Sequence, residues 1–430
     1  MSATLTRQGG HAAAANDAAA RVMQRCALLA KITERPGEIL RTFLSPAMDE
    51  VHRTMRPWVE AAGMAASVDR AGNLRGVWPA HPEKSQSRLL IGSHLDTVPN
   101  AGAYDGILGV LVGLALVEAV AAETLPYAIE VIGFSDEEGT RFSAPFLGSR
   151  AVVGELDGTL LDRTDPAGIT VRAALEDYAA RRPETVPAEL APYTAAYLEF
   201  HIEQGPVLEN RNLALGVVEG LAGQTRSHIV FRGCAGHAGT TPMNMRRDAL
   251  AAAAEWMTRI EEIVSRFEDA VATVGQIEAE PGAVNVIPGM VRCSLDVRHG
   301  KDVVRNAALR AIFDEARAIG RRRGIELEIE QYHEHAAVHL DDNVVALSER
   351  AVAQAGYSTI RMTSGAGHDA MVIAPHVPTA MIFLRNPGGL SHHPDESVAE
   401  QDVAAALHAG FCFLDTFADW LDASGKKEGQ

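Results

Sequence analysis

Apolar residues are unevenly spaced along this chain, and the spacing changes character twice. Residues 89–92 and 129–134 are short, mostly apolar runs with β-branched side chains. Such runs predict strands buried on both faces. Between them, residues 106–122 form an apolar stretch rich in small residues (Gly106, Gly109, Gly113, Ala115, Ala119). Read as a helix, it would pack close to its neighbours. This β-α-β spacing predicts a mostly parallel sheet with helices on its faces, an α/β class. Upstream, a helical pattern over residues 17–31 follows what reads as a frayed start.

From about residue 220 the pattern changes. Residues 227–232 and 325–331 (IELEIEQ) alternate apolar and polar, as strands do. Residues 271–277 and 291–298 read as two further strands around a Pro/Gly turn region. Helical spacing appears over 247–267 and 302–323. The order β-α-β-β-α-β is that of a ferredoxin-like α+β unit, an antiparallel sheet with two helices on one face. Beyond it, residues 351–356, 379–384 and 402–421 resume helix–strand–helix logic. The expectation is a discontinuous first domain, 1–219 and 336–430, interrupted by a second, 220–335. Gly220, near the first junction, is a candidate hinge. A length of 430 residues agrees with two domains. Residues 424–430 (SGKKEGQ) predict a disordered end.

Charge narrows the partners. Lys and Arg number 39 against 56 acids, a formal charge of −17, which argues against nucleic acid and anionic lipid. No apolar run reaches the length needed to span a bilayer. The N-terminus lacks the pattern of a signal peptide. Cys26, Cys234, Cys293 and Cys412 are scattered without a C-x-x-C pair. They read as buried thiols in a reducing cytoplasm.

Four stretches carry candidate chemistry. SHLDTVPNAGAYDG holds His94, Asp96 and Asp105, and SDEEGTRF holds Asp136, Glu137 and Glu138. FHIEQGP holds His201, Glu203 and Gln204, and GGLSHHPDE holds His392, His393 and Glu396. Taken singly, each has a bland reading: a solvated histidine, or an acidic helix start favoured by the dipole. Three of the four follow strand-like runs, and loops at the carboxyl ends of parallel strands converge on one crevice. Several imidazoles and carboxylates there form the donor set of a site for two divalent metals. Such a site needs a bridging carboxylate and a free carboxylate able to take a proton from water.

The stretches resemble the motifs of the dinuclear zinc aminoacylase/carboxypeptidase superfamily. They are His94-Leu95-Asp96, Asp105-Gly106, Glu137-Glu138 and Ser391-His392-His393-Pro394-Asp395-Glu396. FHIEQGPVLE (200–209), AGHAGTTPM (235–243) and SGAGHDA (364–370) resemble, more narrowly, the amidase, hydantoinase/carbamoylase family. That group contains N-carbamoyl-L-amino acid hydrolases, β-ureidopropionases and allantoate amidohydrolases.

The resemblance implies an aminopeptidase-like catalytic domain carrying an inserted ferredoxin-like lid that makes a homodimer. It implies two divalent ions, zinc first, with manganese, cobalt or nickel also suited. His94 and His201 would hold one, Glu138 and His392 the other, and Asp105 would bridge. Asp96 would hold the far nitrogen of His94, and Glu137 would be the general base and acid. On chemistry alone His392 and His393 are ambiguous; the family pattern favours His392. From the lid, His237 would donate to the developing oxyanion, reaching the site of the dimer partner. Asn285 and Arg298 would bind a carboxylate. Gln204, His368 and Gly389 would be further substrate contacts, and Gly365 and Gly367 would let backbone approach the ligand. The implied reaction is cleavage of the ureido C–N bond of an N-carbamoyl-L-amino acid to amino acid, carbon dioxide and ammonia. Allantoate amidohydrolase and β-ureidopropionase are alternatives, an N-acyl amino acid hydrolase or peptidase is a further one, and a non-catalytic metal-binding protein is the reading from another class.

Overall fold

The computed structural model describes residues 2–79, 87–120 and 125–425, with backbone only at 2–9 and 422–425. Two compact units emerge, one built from residues 1–219, 340–362 and 368–430, the other from 220–339 and 363–367.

The first unit is built on one sheet. Its strands lie in the order Ala65–Val68, Leu74–Trp78, Ala128–Phe134, Arg88–His94, Thr194–Ile202, Thr379–Leu384, Leu215–Leu221. The four central strands, Ala128–Phe134 to Thr379–Leu384, run parallel, and antiparallel strands flank them. Nearly every residue of the four is buried, as expected of parallel strands covered on both faces.

Helix Ile107–Ala119 is apolar all round and buried from Ile107 to Val117. Gly109 makes its packing possible: a Cβ there would sit 2.0 Å from the Phe200 carbonyl oxygen of strand Thr194–Ile202. The helix starts one residue later than the spacing predicted, after Gly106, which has φ +69°. Residues 121 and 122 of the predicted helix lie outside the described residues.

Two expectations are revised here. The frayed start is a helix, Ser2–Leu29, because the alanine-rich run outweighs Gly9 and Gly10. The helix expected at 351–356 is Asp342–Gln354, capped by Asp341, whose carboxylate accepts from the Asn343 and Val344 amides. Of the expected disordered end, residues 426–430 lie outside the described residues.

The second unit is an antiparallel sheet in the order Ile277–Glu280, Met290–His299, Gly223–Arg232, Glu326–His335, with Val271–Thr273 also beside Met290–His299. The strand expected over 271–277 is thus two short ones. Ser294 Oγ takes the Gly275 and Gln276 amides at 3.2 and 2.9 Å and interrupts the ladder. Helices Ala249–Val264 and Asp302–Arg323 cover one face through Trp256, Ile260, Ile312 and Ala316, packed on Ile229, Phe231, Cys293 and Leu295. The other face carries the polar partners in the alternation, among them Arg226, Asp296 and Arg298. Residues 363–367 join this unit because the Ala222 amide donates to the Ser364 carbonyl at 2.8 Å and Arg298 to that of Gly365.

Candidate functional site

Four loops at the carboxyl ends of the central parallel strands bring the first unit's candidate residues together. His94 ends strand Arg88–His94, and Glu137 and Glu138 follow Ala128–Phe134. His201 lies near the end of Thr194–Ile202, and His392 follows Thr379–Leu384.

Asp105 is at the centre. Its Oδ1 lies 3.2 Å from His201 Nε2 and 3.7 Å from His94 Nε2. Its Oδ2 lies 3.3 Å from His392 Nε2, which is itself 3.3 Å from Glu138 Oε1. Each oxygen of one carboxylate thus faces a different pair of donors.

The tautomers point the same way. His94 Nδ1 sits 3.1 Å from the Asp96 carbonyl and His201 Nδ1 sits 2.9 Å from the Ile202 carbonyl. Each Nδ1–H donates to backbone, so each Nε2 is left with a lone pair. Those two Nε2 atoms lie 3.4 Å apart. Two lone pairs and a carboxylate oxygen facing one another in a buried pocket call for a cation. Among the described residues, no lysine or arginine pairs with Asp105, Glu137 or Glu138. Protons answer the same demand. Against burial, Asp105 and Asp96 hold His94 well above the ordinary imidazole value. Asp105 and Glu138 push His392 up to about 10. The donor set, two histidine–carboxylate clusters sharing Asp105, fits divalent ions of borderline hardness.

The supporting shell differs in detail from the sequence reading. The Asp96 carboxylate is 3.5 Å from His94 Nδ1, but its hydrogen bonds are to the amides of Glu137 (2.9 Å) and Glu138 (3.1 Å). It ties the Glu-Glu turn to the His94 loop. Gly106 lies against His94: a Cβ there would meet the imidazole ring at 2.4 Å. Gln204, in a left-handed conformation, donates from Nε2 to both Asp105 oxygens at 3.2 and 3.1 Å and to Ser391 Oγ at 3.2 Å. Its Oε1 is buried with no partner among the described residues. Glu203 caps the short helix that follows, accepting from the Val207 and Leu208 amides at 2.7 and 2.8 Å. Gly389 packs on the Gly205–Pro206 backbone, where a Cβ would come within 2.5 Å. His368 is buried, its ring 4.3 Å from that of His201, and burial holds its basicity well below the ordinary value. His393 is turned outward, its Nδ1 accepting from the Asp395 amide at 3.2 Å.

Glu137 is 7% exposed. Burial pushes its carboxyl well above the usual range, opposed by His94 and reinforced by Glu138. A buried carboxyl so placed can both take and return a proton.

One group beneath the site, Glu199, carries no signal in its own stretch of sequence. Glu199 receives the Tyr197 hydroxyl at 2.9 Å and the Ala370 amide at 3.0 Å, two residues before His201 on the same strand face. Glu396 takes the Tyr104 and Asp105 amides at 2.9 and 3.0 Å. The motif includes Glu396 without saying what it holds.

The residues expected of a lid lie in the second unit. His237 and Asn285 are exposed, and strand Gly236–His237 pairs with Val286–Ile287. His237 Nδ1 accepts from the Gly239 amide at 3.0 Å. Arg298 is held by Asp296 and the Gly365 carbonyl.

The chain has known relatives. Residues 90–415 match peptidase family M20/M25/M40. The chain belongs to that family. Allantoate deiminase 1 of Glycine max is 37% identical over 428 residues, spanning 91% of this chain and 88% of that protein. The N-carbamoyl-L-amino acid amidohydrolase of Geobacillus stearothermophilus is 38% identical over 390 residues, 89% and 95% of the two chains. In solved structures, an amidase of the hydantoinase/carbamoylase family from Burkholderia multivorans superposes with a TM-score of 0.86 at 31% identity, covering 93% and 97% of the chains. Within the M20 family the chain therefore sits with the hydantoinase/carbamoylase amidases. No helix of the described residues is long and apolar enough to cross a membrane.

Proposed function

We propose that this protein is a metal-dependent amidohydrolase that cleaves the ureido C–N bond of an N-carbamoyl-L-amino acid. The observation that carries this reading is Asp105, whose two oxygens face His94–His201 on one side and Glu138–His392 on the other, beside the buried Glu137. His94, His201, Asp105, Glu138 and His392 would hold two divalent ions, zinc first. When bound, such ions polarise the scissile carbonyl and lower the pKa of water. Glu137 takes the proton of the attacking water and returns it to the leaving nitrogen. One water splits the ureido group into the amino acid and carbamate, which falls apart to carbon dioxide and ammonia. Asp96 fixes the Glu-Glu turn, so Glu138 stays turned to His392 while Glu137 remains free to move protons.

From the lid, His237 donates to the developing oxyanion, and Asn285 and Arg298 receive the substrate carboxylate. An arginine fork suits a planar carboxylate better than lysine does. The protein works as a homodimer through residues 220–335. Exposed Met243 and Met245, 77% and 71% accessible beside the His237 loop, support an apolar contact there. A cytoplasmic location accords with the four free cysteines, of which Cys234 is exposed and not buried as the sequence suggests.

Allantoate is a second reading, favoured by the soybean relative's name and its coverage of this chain. A substrate panel with ammonia readout, run after chelation and metal reconstitution, separates the two. Glu137→Gln should keep its metal and lose activity by about 10²–10⁴-fold. Normal turnover in that variant, or no ammonia from any ureido substrate, refutes the proposal.

A further inference from the structure

Arg298 belongs to a cluster on the open face of the inserted unit's sheet. Asp296 precedes it by two residues on strand Met290–His299, so both side chains leave the same face. In the pairing register Asp296 lies opposite Arg226, and Arg298 opposite Gln224. Arg298 donates from Nε to Asp296 Oδ1 at 3.0 Å and from Nη2 to Oδ2 at 3.1 Å. Its Nη1 donates to the Gly365 carbonyl at 2.8 Å. Arg226 Nε and Gln224 Nε2 donate to Asp296 Oδ2 at 3.1 and 2.6 Å.

A guanidinium has five N–H donors in a fixed plane. Three of those on Arg298 are engaged, and the remaining two sit one on each terminal nitrogen. Those two N–H groups are the donors left for a fork on a carboxylate. The charges do not cancel either: two guanidiniums against one carboxylate leave one positive charge. The side chains of Arg298 and Asp296 are 31% and 25% exposed, so the pair is partly open to a ligand.

We propose that Asp296 is a positioning residue: it clamps Arg298 so that the free fork meets the substrate carboxylate, while Arg226 restores the positive charge that Asp296 cancels. The inference rests on the reading that Arg298 receives that carboxylate. Two roles for Asp296 predict opposite signs. As a mere counter-ion it weakens anion binding, and its removal strengthens the site. As a clamp it holds the geometry, and its removal loosens the site.

The test uses the full-length, metal-loaded protein and whichever of N-carbamoyl-L-alanine and allantoate it hydrolyses, together with that substrate's carboxamide. Asp296→Asn should raise KM for the carboxylate roughly ten- to hundredfold, the worth of a charge-assisted hydrogen bond. Its kcat should stay within about twofold, the mark of lost uniform binding. KM for the carboxamide should not change, and Asp296→Asn should add nothing in an Arg298→Ala background. Arg226→Gln, which leaves the clamp in place, should raise KM by a smaller factor that shrinks with salt. If KM is unchanged or falls in Asp296→Asn while Arg298→Ala raises it, the clamp is refuted and the carboxylate reading stands. Equal damage to kcat, carboxylate and carboxamide also refutes it, as a general structural defect. If Arg298→Ala leaves KM unchanged, or neither substrate is hydrolysed, the underlying reading fails and takes the clamp with it.

Discussion

Substituting Glu396 should unseat Asp105 without altering any of the side chains that face it. The side chain is 5% exposed and joins two loops far apart in sequence. Its Oε1 accepts the amides of Tyr104 and Asp105, and its Oε2 lies 3.3 Å from Ser391 Oγ. That hydroxyl also lies 3.1 Å from Asp105 Oδ2. The Asp105 loop is moulded to it, since a Cβ on Gly102 would come within 2.3 Å of Glu396. In Glu396→Ala two amides lose their acceptor, at about 1–3 kcal/mol each when buried. The two share one carboxylate and do not add fully, so the cost is about 3–4 kcal/mol. If most of it falls on the Asp105 loop, metal affinity drops by about 10²-fold. Glu396→Gln keeps an oxygen for both amides and loses only the charge, so its affinity should stay within about tenfold of wild type. Chelator competition gives the affinity, and a thermal melt shows whether the variant folds. Wild-type affinity in the alanine variant would refute the tether. Equal loss in the glutamine variant would assign the effect to charge instead.

Other outcomes follow from single features. Gly106→Ala places a Cβ 2.4 Å from the His94 ring at a φ of +69°. It should cost about 1–2 kcal/mol in backbone strain and leave the purified protein short of metal by elemental analysis; full occupancy would show that the ring has room to yield. His52, buried on helix Pro46–Ala61, is pushed down to about 4 by burial. Its folded value lies below the unfolded one, so the unfolded chain takes the proton first. The contribution is complete above about pH 6.5 and is lost as pH falls toward about 4, with about 2 kcal/mol of it gone by about pH 5. The melting temperature of wild type should therefore fall more steeply between about pH 7 and pH 5 than that of His52→Leu, and parallel curves would refute it.

What the sequence made legible follows the range over which each contact acts. The apolar runs marked the central strands, and Thr379–Leu384 has the predicted bounds. The alternating runs marked the antiparallel sheet, but the break at residues 274–276 depends on Ser294 from another strand. The same holds in the site. The residues facing Asp105 sit in four short motifs, each bland alone and telling only as a set. The resemblance pairs Asp96 with His94, two residues away, yet its carboxylate accepts from amides about forty residues on. Gln204 was expected to touch substrate, and its amide is on Asp105. Both partners are invisible until the loops are folded together. Asp296 was within reach of the sequence: a D-x-R on an alternating strand puts acid and base on one face.

Strand Thr379–Leu384 lies between Thr194–Ile202 and Leu215–Leu221, although some 160 residues separate it from the latter in the chain. This arrangement sets a timetable for synthesis. As the chain leaves the ribosome, the inserted unit is nearly complete once residue 339 has emerged, with a core of its own to fold around. The sheet behind it still lacks its filling strand and waits with two unpaired edges. Roughly sixty more residues must appear before Glu396 arrives, a delay of about 3–12 s at typical translation rates. Asp105 is thus among the first of the facing groups to be made and among the last to be secured. Stable metal loading must then be a late event, taking place on a nearly finished chain.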